Sequence, residues 1–189
     1  MECTPLAIPE VVLITPKVFG DHRGFFVESY QKKRYDEAGI PGRHGAFVQD
    51  NLSRSAKGIL RGLHLQHPHG QGKLVRVTEG AVFDVAVDVR VGSPTFGKWV
   101  GARLDAEKRQ QLWVPPGFAH GFQVLTEHAL FAYKCTDLYH PETELSVHYA
   151  DPAIGIEWPL GDPSLSDKDR DAKRLSEIDP SRLPTYEAP

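Results

Sequence analysis

The chain is poor in the residues that would announce a disulfide scaffold or a membrane protein. Only two cysteines occur in 189 residues, Cys3 and Cys135, too few for a disulfide framework. Reduced thiols and a cytoplasmic setting are therefore expected. No apolar run is long enough to span a bilayer, and no basic start precedes an early apolar stretch, so neither an anchor nor a signal peptide is expected. An excess of charge of one sign is also missing: 22 Lys and Arg stand against 25 Asp and Glu, a formal net charge of -3. That balance advertises no nucleic-acid or anionic membrane partner, although a pocket can be locally basic. A glycine-rich phosphate loop of the P-loop or dinucleotide type is absent too.

What is present is a globular composition, 40% hydrophobic with 15 prolines and 17 glycines, which suits a single domain over residues 1–189. The clearest strand signal is Ala81 to Val89, where Val82, Asp84, Ala86 and Asp88 alternate with Phe83, Val85, Val87 and Val89. Further strand-like runs are Leu6–Ile14, Phe47–Asn51, Ile59–Leu65, Lys73–Thr78, Lys98–Leu104, Gln111–Val114, Gly121–Val124 and Ala129–Thr136. Gly and Pro fill the connections, and the spacing of roughly eight to twelve residues predicts an all-β sandwich or barrel. One or two helical turns are expected over Lys32–Ala38, ended by Gly39 and Pro41. Another short helix is expected from about Leu165 to Leu175, capped by Ser166 or Asp167. Pro180, Pro184 and Pro189 suggest a loose end, and Cys3 lies near another.

Polar residues embedded in this β-like sequence are the candidates for chemistry. His64, in Arg61-Gly62-Leu63-His64, is the leading general base, because imidazole transfers protons near neutrality. It needs an orienting acceptor; Asp169 is preferred, though spacing alone does not separate it from Asp84, Asp88 or Asp167. Lys73, if turned into a cavity, could stabilise an oxyanion. His120 follows the turn Pro115-Pro116-Gly117 and could hydrogen-bond a substrate oxygen. Tyr133 could donate a proton to an enolate. The competing readings are a structural histidine, an exposed strand lysine, a turn histidine and a core aromatic. Arg23, Arg61 and Lys168 could contact phosphate. Glu28, Gln49 and Asn51 could read polar base or sugar groups, Phe19 and Phe26 could form an apolar wall, and Tyr139 could stack on a ring. A metal site is not expected. Where a metal-binding barrel often carries His-x-His, this chain has His64-x-Gln66, and His67 and His69 sit in a Pro/Gly-rich loop able to bind Zn(II) only adventitiously.

Taken together, these residues resemble the dTDP-4-dehydrorhamnose 3,5-epimerase family, metal-independent members of the cupin superfamily, over roughly Ile8 to Asp169. The blocks that carry the resemblance include Asp21-His22-Arg23-Gly24-Phe25-Phe26-Val27-Glu28, Phe47-Val48-Gln49-Asp50-Asn51 and Arg61-Gly62-Leu63-His64. Gly72-Lys73-Leu74-Val75, Val114-Pro115-Pro116-Gly117-Phe118-Ala119-His120-Gly121-Phe122, Tyr133-Lys134 and Leu165-Ser166-Asp167-Lys168-Asp169 continue it in order. The resemblance implies a cupin or jelly-roll barrel, a dTDP-4-keto-6-deoxyhexose substrate, no cofactor and no metal. It further implies His64 as base oriented by Asp169, Lys73 and His120 at the C4 oxygen, and Tyr133 as the opposite-face acid. Arg61 would lie near the diphosphate. Phe19, Arg23, Phe26, Glu28, Gln49, Asn51, Tyr139 and Lys168 would serve nucleotide or sugar recognition. A homodimer is implied, with N-terminal strands serving the partner subunit. Leu65, the short loop Gln66–Gly70 and His148 depart from the family pattern, which leaves open a related mono-epimerase acting at C3 alone, or a noncatalytic nucleotide-sugar-binding barrel.

Overall fold

A computed structural model describes residues 1–188, and its regular structure is mostly antiparallel strand. One sheet has six strands: β1 (Glu2–Pro5), β2 (Val12–Thr15), β10 (Gln111–Val114), β7 (Lys73–Glu79), β12 (His128–Cys135) and β5 (Gln49–Ala56), in that spatial order. A second has five: β13 (Glu144–Ser146), β6 (Leu60–Gln66), β11 (Phe118–Val124), β8 (Ala81–Asp88) and β9 (Trp99–Asp105). A separate hairpin joins β3 (Val18–Asp21) to β4 (Gly24–Val27), and the helices α1 (Lys32–Glu37) and α2 (Asp167–Arg170) are short. The expected jelly-roll barrel is this pair of facing sheets. No helix among the described residues is long and apolar enough to cross a membrane.

The alternation in β8 explains how the layers stack. Val82 and Ala86 turn inward and pack with Val75, Leu112, Val114, Phe122 and Phe131 between the two sheets. Val85 and Val87 turn the other way and pack with Leu145, Ile154, Leu175, Ile178 and Leu183 of the C-terminal segment. With both faces covered, β8 is buried almost throughout, although its pattern alternates. Asp84 and Asp88 belong to the inward row, and both are fully buried.

Three expectations are corrected. The first strand does not run through Leu6–Ile14: the chain turns there, and Glu2–Pro5 pairs back on Val12–Thr15. Cys3 is thus in a strand, where edge pairing supplies the hydrogen bonds that its exposed side chains cannot reveal. Strand β11 begins at Phe118, so His120 lies within a strand and not in the preceding turn. The C-terminal segment is docked, with Leu183 buried and the Tyr186 amide bonded to the Val91 carbonyl at 2.9 Å. Pro189 lies outside the described residues.

Arg90 holds this end in place. Its guanidinium bonds Asp88 at 2.8 Å and Glu10 at 2.9 Å, and stacks on Phe118 and Tyr186 with centroid distances of 4.5 and 4.9 Å. The Gly117 turn passes so close that a Cβ there would lie 2.7 Å from the Arg90 side chain, and its φ of +90° already favours glycine.

Candidate active site

The cavity between the sheets measures about 410 Å³, and both sheets contribute polar groups to its walls. His64 and His120 come from neighbouring strands of the five-stranded sheet, with their Cα atoms paired in register. A close approach allows this: a Cβ on Gly62 would lie 2.5 Å from the Gly121 Cα, so only glycine fits where β6 meets β11. Lys73 and Tyr133 come from the opposite wall, on β7 and β12. The sequence-predicted groups His64, Lys73, His120, Tyr133 and Asp169 therefore line one cavity, together with Arg61 and Lys168.

Four aspartates competed in sequence for His64, and each has a distinct partner in the fold. Asp169 Oδ1 lies 2.5 Å from His64 Nε2. Asp84 Oδ1 lies 2.9 Å from His120 Nε2. Asp88 serves Arg90, Ser93 and Thr95, and Asp167 pairs with Arg170 at 2.9 Å. Helix α2 sets Asp169 in place because the Ser166 hydroxyl caps it, accepting from the Asp169 amide at 3.2 Å.

Electrostatics distinguishes the two histidine–aspartate pairs. Burial works to raise the Asp169 carboxyl, but the hydrogen bond and charge of His64, with Ser166 and the Gly62 amide, outweigh it and hold the carboxyl below its ordinary value. An ionised carboxylate only accepts, so His64 Nε2 is the donor in this bond and Nδ1 is the ring nitrogen outside it. For Asp84 burial wins over His120 and Lys73, and its carboxyl is raised. Its Oδ2 and the Ser146 hydroxyl are the two buried side-chain atoms without a hydrogen-bond partner among the described residues. Burial also lowers the Lys73 ammonium, against the opposing charges of Cys135, Glu144 and Asp84. The Tyr133 phenol is raised, first by burial and next by Cys135, so it is held as a proton donor.

Around this centre the structure separates the remaining candidates. Arg61 bonds Ser55 at 2.9 Å, and Lys168 pairs with Glu144 at 2.5 Å. Glu144 also accepts from the Tyr139 hydroxyl at 3.0 Å. Sequence reasoning did not single out Glu144 or the Asp84–His120 pair; the only signals were an acid beside an expected strand and an aspartate in the inward row of β8. Gln49 and Asn51 stand opposite Cys135 and Tyr133 across β5 and β12, and cross-strand partners share a face, so both continue the cavity-facing row. They bond each other at 3.1 Å. Phe19, Arg23, Phe26 and Glu28 do not line the cavity. The first three ride on the β3–β4 hairpin, where Phe26 is 69% exposed and Arg23 pairs with Asp21, while Glu28 bonds Arg34.

This arrangement can remove a proton from one face of a small substrate, stabilise an oxyanion in the middle and return a proton from the other face. The family model of dTDP-4-dehydrorhamnose 3,5-epimerase matches residues 5–177. The dTDP-4-dehydrorhamnose 3,5-epimerase of Pseudomonas aeruginosa is 58% identical over 95% of this chain and 98% of its own length. A dTDP-6-deoxy-D-glucose-3,5-epimerase of Legionella pneumophila, solved with dTDP-4-keto-L-rhamnose, is 57% identical with a TM-score of 0.95, covering 99% of each chain. The dTDP-4-dehydrorhamnose 3-epimerase of Streptomyces niveus is 45% identical over 98% of this chain and 90% of its own length.

Proposed function

The chain belongs to the dTDP-4-dehydrorhamnose 3,5-epimerase family, and from that premise we propose how its own residues invert C3 and C5 of dTDP-4-keto-6-deoxy-D-glucose to give dTDP-4-keto-L-rhamnose. The C4 ketone acidifies the protons at both neighbouring carbons. His64 Nδ1 removes one, with Asp169 stabilising the imidazolium that forms. The electron pair moves to the C4 oxygen, where Lys73 and His120 stabilise the enolate. Tyr133 then delivers a proton to the opposite face; solvent takes up the proton held by His64 and returns one to the Tyr133 phenolate, and a second round inverts the other carbon. The observation that carries this reading is the placement of base and acid on opposing sheets of one cavity, His64 on β6 and Tyr133 on β12.

Arg61 and Lys168 at the cavity edge suit the diphosphate, with Tyr139, Gln49 and Asn51 beside them for the nucleotide. The chain acts as one domain, and β1–β4 are its dimer-forming strands. Support comes from the exposed hairpin aromatics Phe19, Phe25 and Phe26, and from Leu52, 68% exposed on the edge strand β5. In the homodimer, Phe19, Arg23, Phe26 and Glu28 reach the partner's nucleotide. Two free thiols suit the cytoplasm.

The test is incubation with the ketosugar in deuterated water, followed by NMR. Deuterium with inversion at C3 and C5 is expected; absence of exchange at both carbons would reject the reading. The similarity to a 3-epimerase motivates a second reading, inversion at C3 alone, and the same spectra distinguish the two.

A further inference from the structure

Beyond the cavity, His69, Asp137 and His140 bring three ligand atoms within 4.8 Å of one another. We propose that they form a divalent transition-metal site of the zinc class, fastening the loop after β6 to the loop after β12. The donor set, two imidazole nitrogens and one carboxylate oxygen, suits Zn(II), with solvent completing the shell. The rings of His69 and His140 stack at 4.1 Å and 19°, so the two imidazoles are adjacent, with their in-plane lone pairs running side by side. Asp137 Oδ1 is committed to the Leu138 amide at 2.8 Å, and its Oδ2 faces His69 Nδ1 at 3.5 Å. Tetrahedral zinc with bonds of about 2.0–2.1 Å wants ligand atoms roughly 3.3 Å apart; to complete the site one imidazole turns out of the stack, and His140 either gives up the Glu142 contact of its Nδ1 at 3.2 Å or binds through Nε2.

The backbone beneath is already fixed. Gln66, 5% exposed, donates to the carbonyls of His69 and Leu138 and accepts from the His140 amide, so one buried side chain ties the two loops together. Gln71 adds a bond to the Asp137 carbonyl at 2.9 Å. His69 itself holds φ at 68°, a left-handed conformation that a side chain other than glycine rarely adopts, although Gly70 follows immediately. His67, in the same loop, is outside the cluster. The site stands apart from the proton-transfer groups and requires nothing of them. Its occupation would restrain Tyr139, which lies between two of the ligands.

Equilibrium dialysis of the full chain against Zn(II), followed by elemental analysis, tests this alongside His69→Ala, His140→Ala and His67→Ala. The expected result is one retained zinc per chain in the parent and in His67→Ala, with loss in the other two. Asp137→Asn keeps the side-chain volume and guards against loss through misfolding: zinc should be lost while the melting temperature without metal is unchanged. Co(II) in the parent should give the visible bands of a four-coordinate site, and these should vanish in His140→Ala. Failure of the parent to retain stoichiometric zinc, or equal retention in all five proteins, would mean an adventitious ion only and would overturn the proposal.

Discussion

The role proposed for His64 as base requires Asp169 to be an anion, and the local balance keeps it so: burial raises that carboxyl, but the imidazole, Ser166 and the Gly62 amide lower it further. Removing the base and removing the acid should therefore look different. In His64→Ala, solvent exchange at both C3 and C5 should fall by about 10²–10⁴-fold, the usual worth of a positioned general base. In Tyr133→Phe, exchange should persist while inversion is lost, because abstraction leaves the returning proton with no donor on the far face. NMR in deuterated water resolves both, and equal inversion rates in the parent and Tyr133→Phe would remove Tyr133 from its role. The aspartate partners mark the limit of sequence reading at this scale. Choosing Asp169 over Asp84, Asp88 and Asp167 requires knowing that α2 packs against β6, a contact between residues more than a hundred positions apart in the chain.

At the scale of elements, the strands with clean alternation, β8 above all, were legible because one face had to be apolar. Others were not. The pairing of Glu2–Pro5 rests on backbone hydrogen bonds, which leave no trace in side-chain pattern. The prolines near the C-terminus read as looseness, yet the chain there is fastened through Leu183 and through Tyr186 stacked on Arg90. The carboxyl of Asp88 is the anchor of this fastening. Burial opposes its ionisation, but Arg90, Ser93 and Thr95 hold it below the ordinary carboxylate range. Asp88→Ala should cost about 3 kcal/mol at neutral pH, since it leaves a buried guanidinium short of its counter-charge. The depressed carboxyl stabilises the fold fully above the unfolded carboxylate range, and that contribution is lost as pH falls through the folded value. Urea unfolding should therefore show the gap between parent and variant narrowing on acidification; a gap independent of pH would deny Asp88 this part.

For the whole molecule, the proposed dimer makes the β3–β4 hairpin the test of how many chains build one site. If Arg23 serves the partner's nucleotide, mixed dimers of His64→Ala with Arg23→Ala contain one cavity with both residues intact. Mixing the two impaired proteins after dissociation should then restore activity above that of either alone. No recovery, with mixed dimers confirmed by mass spectrometry, would place Arg23 in service of its own chain. Order along the chain matters as well. His64, Lys73, His120 and Tyr133 all precede α2, so Asp169, the hydrogen-bond partner of His64, is the last of the set to be synthesised. If the two sheets close on a nascent chain before Asp169 emerges, the cavity is shaped while its imidazole still lacks this partner. Under the proposed mechanism the enolising chemistry then waits until α2 has docked on β6.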